Sequence, residues 1–246
     1  YEERSIRNRQ AFADFGRRAA AEIASLVGDP LVGDFWPLVV KRMQQSDNLG
    51  ACLAQSRHQL EGLWGLNTLE IPQSRVCQTG AHAWFVIHLL AEAGRLRTIY
   101  NEVVEEFRRV HRIRSRSHPV PNLAAEGEWR EAPFWVWTRD NPRRRPVFVR
   151  RGRGQLVISD RHGLKIALPL TPDGDARRAV ERLAELGSEG VKIRCRALLT
   201  TLWARLVLGD LFVHGIGGAK YDQLTDALIQ SGQFTVLERE TLTDVV

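Results

Sequence analysis

One stretch of the sequence carries the clearest structural signal: Leu208-Gly-Asp-Leu-Phe-Val-His-Gly-Ile-Gly-Gly-Ala-Lys-Tyr-Asp-Gln-Leu-Thr-Asp-Ala-Leu-Ile229. Its apolar beginning predicts a strand, its glycines predict a turn, and its later apolar spacing predicts an amphipathic helix. Because backbone amides at the start of a helix point at whatever lies there, this succession predicts an anion site. The alternative is a tight turn with a purely structural role.

The glycine turn supplies the first candidate site residues. We expect positive φ at Gly215 and at one or both of Gly217 and Gly218, with the last two donating amides to an anionic group. His214 is the candidate catalytic acid–base group, because imidazole titrates near neutral pH. The remaining candidates are neighbours that would neutralise or contact the ligand: Lys220, Tyr221 and Arg196.

A second anion site is predicted where Thr79 and Gly80 begin the longest helix candidate, residues 81–111. Amides at this helix start would point at a ligand in the same way. His88 lies on the same helix, and a lone histidine on a half-apolar helix face is usually a buried structural residue.

Composition limits the class of protein. The chain has 246 residues, of which 43% are hydrophobic, and it contains no long uncharged apolar run. We therefore expect a folded cytoplasmic protein without a membrane partner, whose sequence may be a fragment of a longer reading frame. The three cysteines lack metal-ligand spacing, so no metal site is predicted and buried free thiols are expected. No cofactor or oligomeric state is indicated.

The apolar periodicity predicts mixed α/β architecture with two domains. Residues 1–77 form a predicted helical region, with a break expected near 47–50. Residues 78–246 form a predicted α/β core in which short β-rich runs make a small antiparallel β-meander near 146–169. Two further helices are predicted after the meander, over 173–186 and 193–208.

Arginine dominates the positive charge, since only four of the 35 basic residues are lysine. Two clusters, 108–118 and 139–153, contain almost no acid. Solvated faces are the simplest interpretation. The functional alternative is a nucleic-acid or polyanion partner, with His111 and His118 as titrating groups and Trp129, Phe134, Trp135 and Trp137 as stacking surfaces.

Several short motifs, taken in order, resemble the cysteine-adding enzymes of bacillithiol biosynthesis. They are Thr79-Gly80 with Ile87-His88, Pro133-Phe134-Trp135-Val136, the hairpin of residues 148–168, Arg196-Ala197-Leu198, and Phe212-Val213-His214-Gly215-Ile216-Gly217 with Tyr221 and Leu224. The resemblance implies a Rossmann-like core containing the C-terminal strand, glycine loop and helix, and it implies ligase or transferase chemistry. The segment from Leu211 to Asp226 also resembles a bacterial family of unknown activity.

The sequence therefore predicts a ligase-like or transferase-like enzyme that binds a small anionic metabolite or nucleotide at the glycine loop. Two alternatives remain open. One is an arginine-rich module that binds nucleic acid or another polyanion, and the other is a non-catalytic member of an enzyme fold.

Overall fold

The computed structural model describes residues 4–170 and 176–232, and the chain divides into two units after Ser74. The smaller unit contains three helices, α1 (Arg9–Ile23), α2 (Val32–Met43) and α3 (Leu49–Leu63). Asn8 and Asn48 begin α1 and α3, because each side-chain oxygen accepts a backbone N–H three residues later. The break between α2 and α3 lies at residues 44–48, close to the expected position.

Trp36 organises the core of the smaller unit. Its ring packs against Phe12 and Phe15 of α1, and its indole Nε1 donates to the carbonyl of Phe12 at 2.9 Å. Gly16 lies directly beneath the ring, where an added Cβ would come within 2.2 Å of the Trp36 Cγ. The absence of a side chain at Gly16 therefore allows α1 and α2 to approach closely.

The larger unit is built on an antiparallel sheet. Its strands are β1 (Ala125–Glu126), β2 (Trp129–Thr138), β3 (Arg145–Gly152), β4 (Gln155–Ser159), β5 (Lys165–Pro169) and β6 (Val191–Cys195). Strands β2 to β5 pair in chain order, while β1 and β6 pair with different parts of β2 along its other edge. The predicted meander is confirmed, and its strands β3, β4 and β5 are half of the six strands described in this sheet.

Helices and the sheet enclose the main core of the larger unit. After the short α4 (Gln73–Val76), these helices are α5 (Gly80–Ala91), α6 (Ala93–Val110), α7 (Arg177–Ser188), α8 (Ala197–Trp203) and α9 (Ile216–Gly232). The single helix predicted over 81–111 is two helices, which separate at Glu92. The second half of α6 packs with α9 around a smaller core that includes Tyr100 and Leu224.

The helix predicted over 193–208 is wrong at its beginning. Residues Val191–Cys195 form strand β6, and α8 starts only at Ala197 before a π-helical turn at Ala204–Leu208. The alternation of Lys192 and Arg194 with Ile193 and Cys195 has the two-residue period of a strand, and pairing with β2 stabilises it.

The strand predicted before the glycines is also absent. Residues 209–215 have no regular structure, and α9 begins at Ile216 and runs through Gly217 and Gly218. Positive φ is not found at these two glycines or at Gly215. Since every strand pair among the described residues is antiparallel, the Rossmann-like unit is not confirmed. The first residues of the helix predicted from 173 lie outside the described residues.

Among the described helices, none has the length and apolar character needed to span a bilayer.

We predict that Gly16→Ala destabilises the smaller unit by about 1–3 kcal/mol, because the added methyl group overlaps the Trp36 ring. Gly62→Ala in α3 is the matched control, since no atom lies within 4 Å of its added Cβ. Alanine there should raise helix stability by about 0.5–1 kcal/mol. Urea unfolding and hydrogen exchange of α1 to α3 measure both effects. Equal stability of the two variants would contradict the packing argument.

Candidate functional site

A pocket of about 370 Å³ lies in the larger unit where the start of α5, the end of α7 and strand β6 meet. We call it the basic pocket and define it by Thr79, His82, Arg139, Leu183, Lys192 and Arg194, which all line it. The rest of the lining comes from the same segments. Its size is at the lower end of the range of about 300–1,000 Å³ that is usual for small-molecule sites.

Three cations give the basic pocket its charge. They are Arg139, Lys192 and Arg194, and none of the described lining residues is acidic. Lys192 and Arg194 are only 6% and 8% exposed. Positive charge inside a concave surface with low-dielectric walls concentrates anions, because the field is focused there.

Strand pairing places the two buried cations. Lys192 lies opposite Trp137 and Arg194 lies opposite Trp135 in the antiparallel pairing of β6 with β2. The Arg194 guanidinium lies 5.6 Å from the centre of the Trp137 ring, and its Nη1 donates to the carbonyl of Ile193 at 2.9 Å. These contacts hold the guanidinium beside the strand.

Arg139 reaches the same pocket from the end of β2. Its backbone N–H donates to the carbonyl of Gly190 at 2.9 Å, which ties the turn after β2 to the start of β6. Gly190 has a φ of 92°, and an added Cβ would come within 3.3 Å of the Arg139 Cβ. Glycine is therefore needed at position 190 both for its backbone conformation and for this close approach.

Thr79 shapes the mouth of the pocket at the start of α5. Its Oγ1 accepts the N–H of His82 at 3.2 Å and donates to the carbonyl of Val76 at 2.8 Å. Thr79 is therefore the N-cap residue, and Gly80 is the first residue of the helix. The partial positive charge of the helix N-terminus adds to that of the three cations.

His82 and Cys195 form a neutral pair behind the pocket. The His82 Nε2 lies 3.7 Å from the Cys195 Sγ, and the imidazole packs edge-on against the ring of Trp203. Burial, assisted by the charge of Arg194, lowers the pKa of His82 to about 4. Burial also raises the pKa of Cys195 far above its usual range. At neutral pH the pair therefore consists of a protonated thiol and a neutral imidazole. An activated cysteine nucleophile is a thiolate, and this pair does not contain one.

The glycine-loop candidates lie outside the lining of the basic pocket. The ring of His214 packs over Gly218, where an added Cβ would come within 2.6 Å of the His214 Nδ1. The His214 Nε2 lies 3.5 Å from the Oγ1 of Thr201, and Phe212 packs edge-on against the imidazole. The amide of Gly218 donates to the carbonyl of Gly215 at 2.8 Å, so it belongs to the first helical turn. An added Cβ at Gly217 would have no atom of the described residues within 4 Å.

The charged and aromatic neighbours of that loop are dispersed. Arg196 forms an ion pair with Glu131 at 2.6 Å and stacks on Trp135 at 4.3 Å, and both of these residues are on β2. Lys220 and Tyr221 are exposed on α9, where Tyr221 packs edge-on against His118. Of the residues predicted to bind the ligand, the structure brings only Thr79, with Gly80 beside it, to the basic pocket.

Sequence reasoning missed Lys192, Arg194 and His82 as site residues, and it included Arg139 only as part of a basic cluster. The available signal was the Val-Lys-Ile-Arg-Cys alternation at 191–195, in which two cations share one face of a strand. The predicted helix began at Ile193 and so divided this alternation, which concealed the strand.

The two arginine clusters have different structural roles. Arg108 is a structural residue, because its guanidinium donates to the carbonyls of Arg116, His118 and Val120 and so holds the loop after α6. The arginines of the second cluster lie mainly on exposed parts of the sheet and its turns. Phe134, a predicted stacking residue, is fully buried in the main core.

One group of metal-ligand residues occurs among the described residues: His58, Glu61 and Glu70 in the smaller unit. The Arg57 guanidinium is hydrogen-bonded to both carboxylates. This arrangement is a surface ion-pair cluster in which arginine already supplies the positive charge.

Comparison with known proteins finds no relative for this chain: no family model matches it, and no curated protein or solved structure is significantly similar to it.

We predict that His82 makes the folded protein less stable in acid. Its pKa is about 4 in the folded chain, so only the unfolded chain takes up a proton as the pH falls below about 6.5. The stabilisation is present above pH 6.5 and is lost progressively towards pH 4, by about 3 kcal/mol in total. Urea unfolding at a series of pH values measures this loss.

His82→Gln should flatten this part of the pH dependence even if it lowers stability at pH 7. The matched control is His162→Gln, which replaces an exposed histidine and should keep the slope of the original protein. An unchanged slope in His82→Gln would show that the imidazole is not held neutral by the fold.

Proposed function

We propose that this protein binds a small anionic ligand in the basic pocket. The observation that carries the proposal is the convergence of Arg139, Lys192 and Arg194 on one concave surface whose described lining has no carboxylate. The N-terminus of α5 contributes backbone amides and positive partial charge at the same place.

The hydrogen-bond donors of the pocket suit an anion. Arg139, Lys192 and Arg194 bring N–H groups to its lining, and the positive end of α5 adds backbone amides. The last residues of α7 also line it, and a helix C-terminus carries a partial charge of only about −0.5. Arginine also presents a planar pair of donors, which suits the two oxygens of a carboxylate or phosphate.

Any reaction that follows binding needs groups that the basic pocket does not supply in activated form. The resemblance to cysteine-adding enzymes predicts a ligase or transferase, and the composition predicts a cytoplasmic protein. The groups of the basic pocket support binding and charge neutralisation more directly, since the neutral His82 and Cys195 lack an activated nucleophile. His214, the catalytic candidate from the sequence, lines no part of this pocket.

A second candidate function is polyanion binding on the sheet surface. Trp129 is contacted by the guanidinium groups of both Arg150 and Arg161, and Arg144 lies over Trp137. A guanidinium stacked on an aromatic face keeps its N–H edge available for phosphate. Glu128 and Glu126 pair with Arg150 and Arg161 at 3.3 and 3.2 Å, which reduces the net charge of this surface. For this reason the basic pocket is the first candidate.

We predict that Arg139→Gln weakens the binding of inorganic phosphate about tenfold, because the neutral amide no longer supplies positive charge at the pocket mouth. Isothermal titration calorimetry at low ionic strength measures the affinity. Arg143→Gln is the matched control, since Arg143 is exposed four residues away and does not line the pocket. Phosphate should also slow hydrogen exchange at the first amides of α5. Equal weakening in the two variants would indicate general attraction to a basic protein.

We predict different salt behaviour for the alternative. A surface that contacts several phosphates of single-stranded RNA loses affinity by about 0.7 logarithmic units per contact for each tenfold rise in salt. Fluorescence anisotropy with the Arg144→Glu and Arg150→Glu double variant tests this surface. Micromolar or tighter binding at physiological salt, abolished in the variant, would make polyanion binding the primary function. Retained binding in the variant would exclude this surface.

A further inference from the structure

We infer that the ligand of the basic pocket is an amphipathic organic oxyanion, with one phosphate or carboxylate group and an apolar body. This inference rests on the proposed function and specifies the ligand class for the same pocket. It follows from a difference within the lining: the residues from the sheet segments include the cations, and the residues from the helices are largely apolar.

The cations come from the sheet side of the pocket. Lys192 and Arg194 belong to β6, and Arg139 follows β2 and is tied to the start of β6 through Gly190. The positively charged side chains of the described lining are therefore all on adjoining segments. More than one of these cations can hydrogen-bond to the same anionic group.

The helix side of the lining is largely apolar. Ala83 and Val86 lie on the face of α5 that also carries Thr79 and His82, and Leu183 and Leu186 come from α7. Ala83, Val86 and Leu186 belong to the buried main core, so the apolar lining continues into the interior of the unit. Leu183 is only half-buried, so an inorganic anion would leave its side chain in contact with water.

The exposure of the lining residues indicates how deeply a ligand enters the pocket. Thr79 and Arg139 are exposed, whereas Val86 is fully buried. His82 lies along the same face of α5 and is neutral, so an apolar group beside it meets no full charge from the imidazole. A volume of about 370 Å³ accommodates a headgroup together with a short alkyl chain or a ring.

A homologous series of alkyl phosphates tests this inference on the full chain. We expect affinity to rise about three- to fourfold for each added methylene from methyl to butyl phosphate, because each methylene leaves water for the apolar lining. Matched n-alcohols lack the anionic group and should bind at least tenfold more weakly than the phosphate of equal chain length. Calorimetry gives the affinities.

The half-buried thiol of Cys77 reports where the series binds. Cys77 lines the basic pocket, while Cys52 and Cys195 are buried. Butyl phosphate should therefore slow the alkylation of Cys77 by N-ethylmaleimide, as measured by peptide mass spectrometry. An unchanged alkylation rate at saturating butyl phosphate would place the binding elsewhere and overturn the inference.

Two leucine variants separate the apolar part of the site from general stability. Leu183→Ser should remove most of the dependence on chain length while leaving the affinity for inorganic phosphate within about twofold. Leu164→Ser is the matched control, because Leu164 is also partly buried against the main core but does not line the pocket. It should keep the full dependence on chain length.

The outcomes distinguish this inference from the proposed function. If inorganic phosphate binds and Arg139→Gln weakens it, but alkyl chains add nothing, the pocket recognises a headgroup alone and the inference is wrong. If neither inorganic phosphate nor any alkyl phosphate binds at millimolar concentration, the proposed function fails as well. A rise with chain length that Leu183→Ser and Leu164→Ser reduce equally would also overturn the inference.

Discussion

The antiparallel pairing of β6 with β2 is the interaction on which the rest of the larger unit depends. It joins Phe134 to Cys195 and Thr138 to Val191, so two distant parts of the chain share one ladder of backbone hydrogen bonds. The pairing places Ile193 and Cys195 in the main core, and it brings α7 and α8, which flank β6 in the chain, against the sheet. Without it, Lys192 and Arg194 would not lie near Arg139 or α5.

The basic pocket shows how one strand can serve packing and charge at once. Successive residues of β6 face opposite sides of the sheet, so the apolar residues enter the core while the Arg194 guanidinium lies over the ring of Trp137. Burial of charge is costly, and the aromatic face and the carbonyl of Ile193 offset part of this cost for Arg194. Burial also keeps the nearby His82 neutral, so this imidazole adds no full charge to the pocket lining.

Local patterns predicted several elements correctly. Thr79 and Gly80 were predicted at a helix start, and this start is confirmed: Thr79 Oγ1 accepts a helical N–H, as a favoured N-cap residue does. The β-rich runs of 145–169 form the predicted meander, since their turns and alternation are local signals. The turn predicted from the glycines at 215–218 is wrong, because a glycine-rich segment can begin a helix as well as form a turn. Here Gly218 provides room for the His214 ring.

The sequence by itself determined the helical character of the smaller unit, the meander and the start of α5, because these depend on residues within a few positions of one another. Only the tertiary structure decided that residues 191–195 are a strand, that they pair with β2 beside β1 and that the three cations converge. A five-residue apolar and basic run has no local preference strong enough to specify strand or helix. Its partner supplies the backbone hydrogen bonds and the aromatic surface that make the strand, and with it the pocket, stable.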